Sequence, residues 1–383
     1  MILLLNQFFY PDSTATSQLL TDLARELARR GHDVTAICGG NGYGLTDVTE
    51  APPVTIHRAQ PLPFSRLPFM RIASYATFLC GAAVRSVCGR APDTSLTLTT
   101  PPLLGIVGTL TRRIRGARHF IWEMDLYPDI AEDLSIFRRH SFSSRVVGAV
   151  ADYIRRNADG IIALGDDMKE RLVRRGVSES KIHVIHNWAD GQEIQPLPWH
   201  PLPLTVHYSG NLGLAHETQT IRDAMLALRD DLRFRFVFAG GGAQRKDLEA
   251  FCRSRNLNQT EFRPYCQRAE LSQSLSEGHL GLVTQKLETV GSVVPSKIYG
   301  IMAAGRAVLY IGPRHATPTR IIERFACGWH MEPGNSECLV ALLNRLVHCP
   351  EEIRSSGERA RQAFLENFDR PLGVRRIASL LGA

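Results

Sequence analysis

Apolar and polar positions along this chain follow two periods that take turns. Residues 2–6 form a continuous apolar run, short enough for a strand buried on both faces. In residues 16–30, Leu19, Leu20, Leu23 and Leu27 recur at helical spacing, and Gly31 closes the pattern. Strands are predicted again at 33–38, 54–58, 95–100, 118–122, 160–164 and 182–185, with helices between them. The second half repeats the order. Its predicted strands are 204–209, 234–239, 261–263, 280–284 and 307–311; its helices are 217–229, 244–255, 295–304 and 336–348, with a final helix at 368–381. Continuous apolar strands alternating with amphipathic helices specify parallel sheets covered on both faces.

One stretch breaks the alternation. Residues 195–204 read QPLPWHPLPL, with prolines at 196, 198, 201 and 203. Proline lacks an N–H and fixes φ, so this segment fits neither a helix nor a central strand. It reads as a stiff extended linker. The fold class expected is therefore α/β, with two doubly wound, Rossmann-like domains, residues 1–195 and 204–366. Such sheets bind ligands at the carboxyl ends of their strands, so the two domains are expected to face each other across a ligand.

Composition narrows this picture. Of 383 residues, 44% are hydrophobic and 22% charged, which excludes a disordered, collagenous or coiled-coil chain. The eight cysteines are scattered and form no CxxC pair, so neither a zinc ribbon nor a thioredoxin-like motif is present, and free thiols are expected. The start, MILLLNQFFYPD, has no positive leader and reads as a first strand rather than a signal peptide. No apolar run reaches 18 residues, so no spanning helix is expected. A cytoplasmic location follows as an expectation.

Candidate chemistry gathers in the loops after strands. The first strand leads into Ser13, Thr14 and Thr16 without a GxGxxG, so nicotinamide binding is not expected. These hydroxyls either cap the following helix or help its N-terminus receive an anion. Asp125 follows the strand at 118–122 and is read as a general base, a hydrogen-bond acceptor for a substrate hydroxyl, or a turn residue. There is no DxD, and Glu123-Met124-Asp125 is a poor metal pair, so no metal or cofactor is expected. The second domain opens with Gly210-Asn211-Leu212-Gly213 ahead of His216, and a further glycine loop, Gly240 to Gly242, follows the next strand. Glycines there let the backbone approach a phosphate. Lys297 lies two residues after Pro295, in the first turn of a helix, where a cation opposes the helix dipole. Either a bound phosphate offsets that cost or the lysine is simply a surface group.

Taken together, these segments resemble a known group. NQFFYPDSTATSQLL, MDLYPD, VIHNWAD, YSGNLGLAHE and VPSKIYGIMAAGRAV occur in the order of the family 4 glycosyltransferases of the GT-B fold, and are most similar to the bacterial branch for colanic acid and O-antigen assembly. The resemblance implies transfer of a sugar from a nucleotide-sugar, UDP- or GDP-linked, to an acceptor bound by the first domain. It also implies a helix at 367–383 that crosses back onto the first domain. In this reading the donor site holds Gly210, Asn211, Gly213, His216, Gly241, Arg263, Tyr265, Glu288, Pro295 and Ser296. Lys286 and Lys297 neutralise the leaving phosphates, and the catalytic Asp125 orients or deprotonates the acceptor hydroxyl. Ser13, Thr14, Thr16 and Tyr127 belong to the acceptor side. The family mostly retains anomeric configuration. Departures are visible. Met124 stands where relatives carry a histidine, and Ser292 and Gly300 fall at the positions of a usual glutamate pair. Asn211 and Leu212 replace the usual Arg and Lys. A nucleotide-sugar 2-epimerase and a non-catalytic nucleotide-sugar-binding protein are the competing readings.

Charge adds one more expectation. The chain carries a formal net charge of +7. Residues 51–118 hold nine arginines (58, 66, 71, 85, 90, 112, 113, 115 and 118) and a single acid, Asp93. Phe64, Leu67, Phe69, Met70, Tyr75, Phe78 and Leu79 lie among them. Arginines mixed with apolar anchors fit an anionic membrane surface and a lipid-linked saccharide acceptor on the inner leaflet, the alternative being an ordinary solvated basic face. Nothing resembles a nucleic-acid-binding module.

Overall fold

In the computed structural model, which describes residues 1–40, 50–59, 68–139, 141–200 and 202–383 and omits the side chains of 68, 69 and 71, the apolar runs pair into two all-parallel sheets. The chain divides into two units, residues 1–186 with 371–383, and residues 187–370.

In the first unit the order is β1 (Ile2–Leu5), α1 (Ala15–Arg29), β2 (Val34–Cys38), β3 (Thr55–Arg58), α2 (Pro68–Cys88), β4 (Thr94–Leu98) and α3 (Gly105–Arg115). It continues with β5 (Arg118–Trp122), α4 (Asp129–Asp133), α5 (Phe142–Asn157), β6 (Gly160–Ala163), α6 (Asp166–Arg174) and β7 (Ile182–Val184). The sheet order is β3-β2-β1-β4-β5-β6-β7. Strand order reverses between β1 and β4, the point where doubly wound sheets open a ligand crevice. Right-handed crossovers place α2, α3 and α5 together on one face and α1 on the other.

In the second unit the order is β8 (Leu204–Asn211), α7 (Gln219–Ala227), β9 (Phe234–Gly241), α8 (Arg245–Ser254), β10 (Thr260–Arg263), α9 (Leu271–Ser276) and β11 (Leu280–Thr284). Then come α10 (Lys297–Ala303), β12 (Ala307–Ile311), α11 (Thr317–Phe325), β13 (Gly328–Met331), α12 (Ser336–Leu346) and α13 (Pro350–Asn367), followed by α14 (Arg370–Leu381). The sheet order β10-β9-β8-β11-β12-β13 reverses between β8 and β11. All five residues of β12 are fully buried, as a strand covered by helices on both faces must be.

The division falls earlier than the proline stretch. Residues 195–204 do not form a free linker, because side chains of the second unit hold them. Arg306 donates to the carbonyls of Leu197 (2.9 Å) and Ser276 (2.7 Å), and its guanidinium lies 5.2 Å from the Trp199 ring centroid. Trp199 also packs on His279, and Arg361 donates to the Ile194 carbonyl at 2.9 Å. The boundary expected at 195–204 therefore moves to 186/187. On the return side, α14 joins the first unit from residue 371 rather than 367.

Candidate functional site

Because strand order reverses between β8 and β11, the loops after these two strands flank one crevice of the second unit. This topology brings Gly210, His216, Lys286 and Lys297 together from distant parts of the sequence. Gly210 and Gly240 have φ of +125° and +123°, a region that L side chains rarely adopt. A Cβ on Gly240 would come within 2.1 Å of the Gly210 carbonyl oxygen, so the two strand ends run too close for any side chain there. A Cβ on Gly210 would meet the Lys297 Cε at 2.9 Å, which places the lysine side chain directly over the glycine backbone.

Lys297 begins α10 and is half-buried. Its Nζ lies 3.3 Å from His216 Nε2 and 5.3 Å from the centroid of the buried Tyr208 ring. The histidine tautomer follows from its other contacts. His216 Nδ1 lies 2.9 Å from the Thr284 carbonyl, which can only accept, so Nδ1 carries the proton. Tyr208 donates its single hydroxyl proton to the Asn211 carbonyl at 2.8 Å. His216 Nε2 is thus left as an acceptor for the Lys297 ammonium. Burial, with Lys297 beside it, pushes the His216 pKa down to about 3, and burial lowers Lys297 to about 8. Lys297 is a cation whose charge is poorly solvated and met by no carboxylate in these contacts. An anion brought to Gly210 would relieve that condition.

Two supports were not legible in the sequence. Gln244 Nε2 donates to the carbonyls of Gly213 (2.6 Å) and His216 (2.8 Å), fixing the glycine loop from α8's side. Buried Gln285 donates to the carbonyls of Thr289 (3.3 Å) and Val293 (3.1 Å) and accepts from the Tyr310 hydroxyl at 2.8 Å. It thereby shapes the loop that carries Lys286 and Glu288. Lys286 is half-buried and Glu288 exposed on that loop; Pro295 is buried and Ser296 exposed just before α10. Ser292 is fully buried and donates to the Thr289 carbonyl, so it serves the loop's own fold.

Arg263 and Tyr265 lie at a different place. They line a cavity of about 690 Å³ with Leu197, His200, Pro264 and Glu277, at the end of β10. That volume suits a ligand the size of a nucleoside. Tyr265 is exposed, and a Cβ on Gly241 would meet its ring at 3.0 Å. Arg263 is less free than its sequence position suggests. Its guanidinium pairs with Glu261 and Glu277, and Arg235 pairs with the same two carboxylates at 2.5 and 2.9 Å. It holds the edge of the sheet and offers the cavity its flank.

In the first unit, Asp125 follows β5 and is half-buried. The backbone N–H groups of Met124 and Asp125 both donate to Thr99 Oγ1, at 3.2 and 3.3 Å. Burial first, and then the nearby Glu123 charge, push the Asp125 carboxyl up to about 6, a range suited to proton transfer near neutrality. Glu123 is buried against Arg155, which donates to it at 2.7 Å and to the Tyr127 carbonyl at 2.9 Å. The arginine ties both ends of the Asp125 segment together. The β1–α1 loop carries Ser13 and Thr14, and Thr16 lies in the first turn of α1. The Thr14 N–H donates to Asp12 Oδ1 at 2.8 Å, and the Thr14 side chain makes no capping bond to α1. Buried Asn6 Oδ1, Gln7 Oε1, Asp12 Oδ2 and Thr14 Oγ1 have no hydrogen-bond partner among the described residues. Uncompensated buried polar atoms are costly, and so many in one loop suit a polar ligand.

The basic stretch resolves unevenly. Arg66, Phe64 and Leu67 lie outside the described residues, as do the side chains of Phe69 and Arg71. Phe78 is fully buried in the core and Tyr75 and Leu79 are half-buried, so these are not surface anchors; Met70 is exposed. Arg58 is turned inward to the Tyr10 carbonyl, Arg90 pairs with Asp33, Arg112 pairs with Asp159, and Arg118 bonds Thr94. No described helix is long and apolar enough to cross a membrane.

Known proteins bear on this arrangement. The model of the Glycosyl transferase 4-like domain matches residues 15–188, and that of Glycosyl transferases group 1 matches residues 193–363. A protein of Pseudomonas aeruginosa named as the glycosyltransferase WbjE is 24% identical over 76% of this chain and 74% of its own. WcaI of Escherichia coli K12, named for colanic acid biosynthesis, is 26% identical over 54% of each chain. Among solved structures, HepE of Anabaena in complex with UDP superposes with a TM-score of 0.74 at 16% identity, covering 100% of this chain and 99% of its own. Sucrose-phosphate synthase of Thermosynechococcus elongatus gives 0.77 at 18% identity, covering 99% and 97%. With both family models in sequence along the two sheets just described, the chain belongs to the family 4 glycosyltransferases of the GT-B fold.

Proposed function

We propose that the chain transfers a hexosyl or N-acetylhexosaminyl group from a UDP- or GDP-linked sugar to a saccharide carried on polyprenyl diphosphate, at the cytoplasmic face of the membrane. The observation that carries this reading is Lys297, a half-buried cation laid over Gly210 and held by neutral His216. In the transfer, the bond from the anomeric carbon to the diphosphate oxygen breaks and negative charge grows on the leaving group. A preformed cation in a partly dry site stabilises that charge more than it stabilises the ground state. Lys286 supplies a second positive charge from the neighbouring loop. The new bond from the anomeric carbon to the acceptor oxygen forms on the same face, with retention. The acceptor's proton passes to the Asp125 carboxylate. In this reading the lysines and backbone N–H groups meet the diphosphate charge, and no metal or cofactor is required.

Three further observations support parts of the reading. The cavity beside Tyr265 and Arg263 has room for a nucleoside. HepE, which shares the fold, has been solved with UDP and with UDP-glucose. The unpaired polar atoms of the β1–α1 loop fit an acceptor rich in hydroxyls. The test is transfer of radiolabelled sugar to a lipid-linked acceptor by Lys297→Ala and Asp125→Asn. Each is expected to lose roughly 10²–10³ in kcat, the scale seen when one transition-state donor or one general base is removed. Near-normal rates in both variants overturn the site assignment. Incubation with donor alone separates the 2-epimerase alternative, which would yield a new nucleotide-sugar without any acceptor.

A further inference from the structure

Three neighbouring helices of the first unit leave their outer sides apolar. On α2 the exposed positions Ile72, Ala76, Cys80 and Val84 recur every four residues, an inclined stripe along the helix. On α3 the exposed stripe is Ile106, Leu110 and Ile114, and on α5 it is Phe142, Val146, Ala149 and Tyr153. The helices pack side by side, α2 on α3 and α3 on α5, and Arg113 of α3 sits 5.4 Å from the Tyr153 ring centroid of α5. Ile72 is 65% exposed, Val84 61% and Phe142 85%, far beyond what scattered surface residues need to be. A set of this extent marks an interaction face rather than ordinary surface.

Charge identifies what the face meets. The three helices together carry eight arginines, no lysine, no glutamate and one acid, Asp152. That acid is already paired with Arg175 at 2.8 Å. Arg85, Arg113, Arg115, Arg145 and Arg156 are exposed among the apolar stripes. A protein partner's apolar face would be matched by the stripes alone. An anionic bilayer matches both features, since arginines reach headgroup phosphates while neighbouring apolar side chains enter the acyl boundary.

We infer that the α2–α3–α5 layer is a membrane-docking face for anionic phospholipid, with α5, outside the basic stretch of 51–118, supplying its most exposed anchor, Phe142. The inference rests on the reading of a lipid-linked acceptor and gives it a place: the unit that carries Asp125 is the unit that touches lipid.

The experiment is flotation of the full chain with phosphatidylcholine vesicles, with and without phosphatidylglycerol, at low and high salt. Binding is expected only with the anionic lipid, and salt is expected to weaken it. The double variant Phe142→Asp, Val146→Asp is expected to reduce bound fraction at least about tenfold, as is Arg113→Glu with Arg115→Glu. All these positions are exposed, so the variants should retain the wild-type circular dichroism and UDP or GDP titration. Equal binding to neutral and anionic vesicles, absence of binding to either, or full binding by the α5 variant overturns the inference. Nucleotide titration of the same preparations keeps the two readings apart. A protein that binds nucleotide but no vesicle removes the docking face alone, and one that binds vesicles but no nucleotide removes the donor reading alone.

Discussion

Single side chains set the acid–base range of this protein. Lys297 and Asp125 are displaced toward neutrality from opposite sides, the lysine down to about 8 by burial and the aspartate up to about 6 by burial and Glu123. If Asp125 acts ionised and Lys297 acts protonated, kcat/KM rises through about 6 and falls through about 8, giving a bell. Glu123→Gln removes a negative charge near Asp125 and leaves Arg155 with less compensation, and both changes favour the ionised aspartate. The acid limb should then move to lower pH while the alkaline limb stays in place. Gln still offers Arg155 an acceptor oxygen, so the Tyr127 end of the segment remains tied. An unmoved acid limb in the variant would show that Asp125 does not titrate in that limb. At this scale the sequence is only half legible. Lys297, His216 and Asp125 stand in readable loops, but the Gln285–Tyr310 bond joins side chains 25 positions apart and has no local signature. Arg263 shows the converse: its place in the chain suggests ligand contact, while Glu261, two residues before it on the same strand, and Glu277 claim its charge.

At the scale of elements, the readable features are those written in hydrophobic period. All seven strands of the first sheet and five of the second are anticipated in the sequence, most of them by apolar runs, which the edge strands β3 and β10 lack. β13, at the other edge of the second sheet, is not anticipated; its four residues are all half-buried. α13 escapes because small residues, Ser356, Gly357, Ala360 and Ala363, fill its buried side between Ile353 and Phe364 and mute a helical pattern. Gly357 packs where a Cβ would meet the Gly305 carbonyl at 2.3 Å, which explains that choice. The glycine loops divide in the same way. Gly240 has positive φ and no room, whereas a Cβ on Gly213 would meet only Asn211 Nδ2, at 3.4 Å. Gly240→Ala should therefore cost about 3 kcal/mol or more through backbone strain and collision with a carbonyl that cannot yield. Gly213→Ala should leave Tm nearly unchanged. Calorimetry on both variants checks the contrast; equal stability would mean the β8 and β9 ends are not locked together.

The whole molecule is two units written unequally along the chain. The second is one continuous segment, residues 187–370, whereas the first is completed only by residues 371–383. The prolines of 195–204 mislead about this boundary, because Arg306 and Arg361 bond this stretch and Trp199 packs on His279, so it is held to the second unit. That arrangement has a thermodynamic consequence. On α14, Val374, Ile377 and Leu381 are almost wholly buried, and Arg118 and Arg30 bond the carbonyls of Leu381 and Ala383. Burying three such side chains contributes about 5–9 kcal/mol as an upper bound. A domain's whole stability is about 5–15 kcal/mol. Ending the chain after residue 370 should accordingly unfold the first unit or leave it marginal. The second unit loses none of its own residues by that cut. Scanning calorimetry should show one transition lowered or lost and the other preserved, with nucleotide binding retained. Loss of both transitions together would mean that the second unit depends on the first for its stability, and that its continuity along the chain does not make it independent.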